Sequence, residues 1–216
     1  MPHLPGQDPR GALRPAAGRA GRAPAPPVAR RPRVFVVSGP SGAGKGTLIK
    51  GALDGIPDLA VAVSVTTRAK RPGEVDGREY HFMSRAEFAR LVDEGAFLEH
   101  AEFAGNRYGT LNRELDRIMG TGRSVILEIE LQGARNVRRV RPESVSVFIE
   151  PPSLEELARR LRDRATDAEE EIEARLEVAR TEVAAREEFD HAILNDDIAR
   201  ATAELVGVIE AEVRSA

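Results

Sequence analysis

At 216 residues, 41% of them hydrophobic, the chain is long enough for one ordinary α/β domain with a real core. It has no cysteine, which excludes disulfides and thiolate metal sites; its four histidines do not sit at metal-ligand spacing, and no apolar run approaches the ~20 residues of a membrane span. The net charge of −3 is unevenly spread: residues 1–32 hold six arginines against Asp8 alone, a net of +5, leaving −8 on the remainder, which argues against nucleic acid as a partner.

Residues 1–32 also hold eight of the 14 prolines. With almost nothing to bury, they are expected to form a disordered basic tail. They are rich in arginine and poor in acids, as targeting peptides are, but lack serine, an amphipathic pattern and an apolar stretch. From Arg33 the texture changes. The stretch RVFVVSGPSGAGKGTLIKGAL predicts a buried strand, a Gly-rich turn and a helix. LAVAVSV (59–65) predicts a second strand, and SRAEFARLVDEG (84–95) a helix opened by a Ser84–Glu87 capping box. A helix is expected over 111–122, strands over 124–131 and 144–150, and helices over 153–164 and 169–189. A last strand over 191–196 and a helix over 203–214 close the chain. This alternation predicts a parallel sheet with helices on both faces. The expected organisation is the tail, then one domain over 33–216, in a soluble, cytoplasmic protein.

The segment Gly39-Pro-Ser-Gly-Ala-Gly44-Lys45 has the spacing G-x-x-x-x-G-K between a strand and a helix. Glycines let successive N–H groups curl around phosphate oxygens, the helix adds its positive end, and Lys45 adds a point charge for the β/γ-phosphates. Gly39, Pro40, Ser41, Gly42, Ala43, Gly44, Lys45, Gly46 and Thr47 are therefore candidates for holding ATP or GTP. One departure matters. Where the motif has Ser or Thr after the lysine, this chain has Gly46, and the hydroxyl comes at Thr47. Thr47 is expected to bond a phosphate, with Mg²⁺ held mainly through waters. Glu128 and Glu130 are two apart on a predicted strand, so they share a face, where such enzymes place an acid near the metal.

With that loop, four further segments carry a family resemblance: SVTTRAKRPGEVDGREYHF (64–82), FLEHAEFAGNRYGT (97–110), ILEIELQGA (126–134) and VFIEPPS…RLRDRATD (147–167). In this order the chain, from about Arg33 to its end, resembles guanylate kinase. The resemblance implies a nucleoside monophosphate kinase fold: a core parallel sheet, a GMP-binding insertion over about 64–113 and a mobile lid over about 154–176. It implies the reaction ATP + GMP → ADP + GDP with Mg²⁺, and dGMP as a further acceptor. It sends Arg68, Arg71, Tyr80 and Tyr108 to the GMP phosphate, with Glu74 near the ribose or these arginines. It sends Glu99 to the guanine edge, with Ser64, Thr110 and Glu128 around the base, and leaves Glu130 for metal-bound water. The lid cations would be Arg160, Arg164 and Arg175; Asn195 and Asp196 would lie near the adenine. Arg164 opens RATD, where the family usually has a glycine in the place of Ala165. Two other readings stay open: a non-enzymatic module of the same fold, and a kinase of another phosphorylated small molecule. Whether the chain is a monomer or a homo-oligomer is not legible.

Overall fold

The computed structural model describes residues 31–103, 105–163 and 169–215. All but the last two residues of the expected tail lie outside this range, as do Arg164 and Ala165. In chain order the elements are β1 (Val34–Ser38), α1 (Lys45–Gly55), β2 (Leu59–Val61), β3 (Val65–Thr66), β4 (His81–Phe82), α2 (Arg85–Asp93), β5 (Phe97–Phe103), β6 (Asn106–Leu111), α3 (Asn112–Met119), β7 (Ser124–Glu128), α4 (Leu131–Val140), β8 (Val145–Glu150), α5 (Leu154–Asp163), α6 (Glu169–Ala184), β9 (His191–Leu194) and α7 (Ile198–Arg214). A short 3₁₀ turn covers Arg186–Glu188.

The main sheet runs β2-β7-β1-β8-β9, with every pairing parallel. Its central strand, β1, is buried at all five positions. Because side chains alternate across a strand, Phe35 and Val37 join the cluster with Leu48, Ile49, Leu205 and Ile209 of α1 and α7. Val34 and Val36 join Leu115, Ile118, Ala134 and Val137 of α3 and α4 on the other face. This is the expected α/β architecture, a parallel sheet flanked by helices. The strand ends that face α1 carry the Gly-rich loop and Glu128, so the fold itself brings these two together.

A second sheet, ordered β4-β3-β6-β5, lies between β2 and α3 in the chain. It packs Val65 and Leu111 against Phe88 and Leu91 of α2. The single strand expected over 59–65 is thus two. It leaves the main sheet after Ala62, whose N–H still reaches the Ile126 carbonyl at 3.0 Å, and re-pairs at Val65 in the second sheet. The apolar alternation continues through the hand-over, so pattern alone could not see it. Glu114 braces this crossing: its buried carboxylate accepts from the Val63 N–H at 3.2 Å and from the Arg117 guanidinium at 2.9 Å.

The strand expected over 124–131 also ends early, at Glu128, and Leu131–Val140 is a helix. Leu131, Ala134 and Val137 recur every three residues and are all buried, which is helical spacing. α7 begins at Ile198, five residues before its expected start, because Asp197 caps it by accepting from the Arg200 N–H at 2.8 Å. Ser84 caps α2 in the same way, accepting from the Glu87 N–H at 3.1 Å. α5 and α6 close on each other through Leu157, Leu161, Ile172 and Ala179. Among the described residues, no helix is long and apolar enough to cross a membrane.

Candidate active site

The Gly-rich loop turns on three glycines with positive φ: Gly39 (138°), Gly42 (92°) and Gly44 (94°). Side chains are excluded at Gly39 and Gly44 on steric grounds as well. A Cβ there would collide with the Ile149 carbonyl and the Asn195 amide, respectively. Lys45 opens α1 and is buried, its Nζ donating to the carbonyls of Gly39 (2.5 Å) and Pro40 (3.2 Å). The ammonium is thereby held across the mouth of the loop, while Gly46 and Thr47 are exposed beside it.

This loop forms one wall of a chamber of about 480 Å³, lined by Pro40–Gly42, Gly44–Thr47, Ser64, Tyr80, Glu128 and Glu130. A second chamber, about 410 Å³, is lined by Ser64, Arg68, Arg71, Glu74, Tyr80, Glu99, Tyr108, Glu128 and Glu130 among others. The two share Ser64, Tyr80, Glu128 and Glu130, so they form one cleft with a common waist. Loss of hydration raises the Glu128 carboxyl above its usual range; Lys45 opposes the shift and Glu130 adds to it.

In the second chamber Arg68 is fixed on three sides. Its guanidinium donates to both oxygens of Glu74, at 2.7 and 3.1 Å, and to the Ala69 carbonyl at 2.7 Å. Its cationic carbon lies 5.5 Å from the centre of the Tyr80 ring. Glu74 also accepts from the Arg71 N–H at 2.7 Å. These contacts, the Arg68 bond foremost, hold its carboxyl below the usual range. The rings of Tyr80 and Tyr108 meet edge to face with centres 5.9 Å apart. Burial, then the nearby Glu128 charge, raises the Tyr80 hydroxyl pKa, so it stays a neutral donor. Asp76, Arg78 and Glu79 hold the loop itself. Asp76 accepts from the Phe82 N–H at 2.8 Å, and Glu79 from the Val75 N–H at 2.7 Å.

At the far end of the same chamber, Glu99 is 5% exposed. It lies on β5 opposite Thr110 of β6, just past a register shift, and one of its oxygens accepts from the Thr110 hydroxyl at 2.9 Å. A Cβ on Gly133 would stand only 2.8 Å from the other oxygen. Burial pushes the Glu99 carboxyl up to about 7, against the two Thr110 hydrogen bonds. A buried carboxylate that lines the chamber can accept from a ligand that offers adjacent N–H donors.

The α5–α6 pair covers the donor side. Leu157 and Leu161 lie 3.0 and 3.1 Å from the position of the Cβ that Gly42 lacks, so α5 rests on the loop. Arg175 of α6 donates to the Ser41 hydroxyl at 3.1 Å. Arg160 pairs with Glu156 at 3.0 Å and donates to the Asn195 carbonyl at 3.0 Å.

A family model described as guanylate kinase matches residues 31–212. Guanylate kinase of Rubrobacter xylanophilus is 57% identical over 180 residues, covering 83% of this chain and 94% of that protein. That of Synechococcus elongatus is 50% identical over 177 residues, covering 82% and 97%. The chain belongs to the guanylate kinase family. A crystal structure of guanylate kinase from Anaplasma phagocytophilum has the same fold, with a TM-score of 0.70 at 35% identity over 85% of this chain and 87% of that one.

Most of the residues that the family resemblance singles out meet in this guanylate kinase cleft. Ala43 and Thr110 lie behind its lining, Arg160 lines neither chamber, and two more residues follow the chain's last strand. Asn195 is 2% exposed, and its side chain donates to the Ala43 carbonyl at 2.7 Å, which points it at the loop. Asp196 is exposed and paired with Arg200. Arg164 lies outside the described residues. Two residues of the cleft escape sequence reasoning. Gly133 carries no local signal; its role depends on a strand 34 residues upstream. Glu182 of α6 is buried against Glu130, with which it shares a hydrogen bond. Burial first, then the Glu130 charge, raises its carboxyl well above the usual range. The buried residues Ile172 and Ala179 give the inward face of α6, and Glu182 continues it at helical spacing.

Proposed function

We propose that the cleft transfers the γ-phosphoryl group of ATP to GMP, and to dGMP, with the residues in the following roles. The observation that carries this is the shared waist: a phosphate-binding loop and an arginine-tyrosine cluster open onto one cleft, separated by Ser64, Tyr80 and two carboxylates. Phosphoryl transfer requires two phosphates aligned, water excluded and the moving charge neutralised, with little covalent chemistry. The backbone N–H groups of the loop hold the β/γ-phosphates, and Lys45 exchanges its carbonyl partners for phosphate oxygens. Arg68, Arg71, Tyr80 and Tyr108 hold the GMP phosphate, guanidinium groups forking onto its oxygens. Glu74 fixes Arg68. Glu99, with Ser64, Thr110 and Glu128, takes the guanine edge: ionised, it accepts from N1–H and the exocyclic amine. Adenine has no donor at N1, and the buried carboxylate would lose that partner at a cost of about 1–3 kcal/mol.

The segment 64–113 is then the acceptor-binding insertion, and 154–176 the lid that brings Arg160, Arg164 and Arg175 over the phosphates and excludes water. Glu130 and the exposed Thr47 both line the loop's chamber and suit Mg²⁺, which keeps several waters and takes one or two carboxylates besides substrate phosphates. When bound, Mg²⁺ neutralises charge on the β- and γ-oxygens.

The test is ADP release from the purified chain with GMP, dGMP, AMP and UMP as acceptors. Turnover is expected with GMP and dGMP; folded protein without turnover on GMP would refute the assignment.

A further inference from the structure

Asn195 has no role in the chemistry described above, yet its surroundings are unusually constrained. It follows β9 and is 2% exposed. Its backbone N–H donates to the Glu150 carbonyl at 2.8 Å, which fixes it to the end of β8. Its carbonyl accepts from Arg160 of α5 at 3.0 Å. Its side-chain amide donates to the Ala43 carbonyl at 2.7 Å, across 152 residues of sequence, and fills the space where Gly44 would carry a Cβ. The side-chain oxygen is buried with no protein partner. The amide orientation follows from the bond itself, because only the NH₂ end can meet a carbonyl.

The consequence lies in peptide geometry. Ala43 and Gly44 share one planar peptide, and every described peptide bond is trans. In a trans peptide the C=O and the N–H point in opposite directions. A carbonyl held outward by Asn195 therefore turns the Gly44 N–H inward, towards the hollow of the phosphate loop. Gly44 has φ 94°, a backbone state that glycine adopts freely because it carries no Cβ.

We infer that Asn195 is a positioning residue: its side chain aims the Gly44 N–H at the donor phosphates, and its carbonyl ties that orientation to Arg160 of the lid helix. The inference rests on the reading of this loop as the ATP phosphate site. It differs from an adenine contact, because the effect runs through the phosphates and is indifferent to the base.

The experiment compares the unchanged chain with Asn195→Ala, which leaves the Ala43 carbonyl unpaired, and Asn195→Asp, which sets an acceptor against it at nearly constant volume. ATP and GTP affinities are read by calorimetry, KM and kcat for ATP and GMP by turnover, and folding by Tm. Expected for Asn195→Ala is about a tenfold loss of affinity for both triphosphates and a fall in kcat, the scale of one hydrogen bond. The loss should be larger for Asn195→Asp, with the KM for GMP unchanged within about twofold. A loss confined to ATP would indicate a base contact and overturn the inference. Unchanged triphosphate affinity, or equal losses for triphosphate and GMP, would also overturn it. So would failure of both variants to fold, which would make Asn195 a core residue only. Because affinity is measured apart from turnover, absence of turnover in the unchanged chain counts against the kinase assignment and leaves the affinity comparison to decide Asn195.

Discussion

The two chambers of the cleft are built in different ways. The chamber proposed for the donor has a wall made of backbone: three glycines at positive φ and a helix start, with one buried lysine. The chamber proposed for the acceptor is lined by side chains from β5, β6, β7, α4, α6 and the loops on either side of β3, and its key members Arg68 and Glu99 are held by Glu74 and Thr110. A site made of backbone recognises what all nucleoside triphosphates share, and its sequence signal is local and compact. A site made of side chains can read one base, but its signal is spread over more than sixty residues, from Ser64 to Glu128. The comparison predicts that damage to the donor side stops the chemistry for every acceptor, whereas damage to the acceptor side changes which acceptor is used.

The largest effect is expected at Lys45, the one buried cation among the described residues. Lys45→Ala should lower kcat by roughly 10³-fold or more, since it removes a full charge aimed at the transferring group. GMP binding, measured by calorimetry, should be unchanged. Weakened GMP binding to a folded variant would show that the chambers are not separable in this way.

Next is Glu99, the innermost group of the acceptor chamber. Glu99→Gln keeps the volume and the Thr110 contact but replaces one acceptor by a donor facing guanine N–H groups. Discrimination between GMP and AMP, taken as the ratio of kcat/KM values, should fall on the order of 10²-fold. Donor-side KM for ATP should hold. Selectivity equal to that of the unchanged chain would remove Glu99 from guanine recognition.

Glu74 tests the support beneath the phosphate cluster. Glu74→Gln weakens the paired bonds to Arg68 and leaves that guanidinium free to swing from the Tyr80 ring. KM for GMP should rise about tenfold, with a smaller fall in kcat, as expected when a ground-state contact is loosened. A pure kcat loss would place Glu74 in the transfer step instead.

The same contrast explains what could be learned from sequence. The phosphate loop is legible by itself because glycine spacing, a β-branched strand and a helix must coincide within some twenty residues. The parallel sheet is legible because strand and helix periods alternate. Glu99 is different. Nothing within ten residues of it signals a buried acid; its meaning comes from Thr110 across a bulged hairpin and from Gly133 on α4. Only resemblance to a family could single it out. The hand-over of the 59–65 stretch between two sheets was hidden for a related reason. Alternation reports which face is buried, not which sheet supplies the neighbour. Asn195 was legible as a residue of interest, but its side chain's direction depends on a carbonyl 152 positions away.

An effect no larger than that of Glu74 separates the chambers by pH. The Glu99 carboxyl, at about 7 against an ordinary 4.5, keeps a proton in the folded chain through a range where the unfolded chain has lost it. Folding stability from this group therefore falls as pH rises through that window. On the proposed role of Glu99, guanine recognition requires the anion and should improve over the same range. From pH 8 to pH 6 the ionised fraction drops about tenfold, and the affinity for GMP should weaken by a similar factor. The GMP phosphate itself titrates near pH ~6, so the informative quantity is the difference from Glu99→Gln, which retains the phosphate contribution and lacks the carboxyl. A difference of about tenfold confined to GMP, with ATP affinity following the same pH curve in both proteins, would assign the titration to the base-reading acid. Identical GMP curves in the two proteins would mean that ionisation of Glu99 is not coupled to GMP binding, and would remove it from the base-reading role.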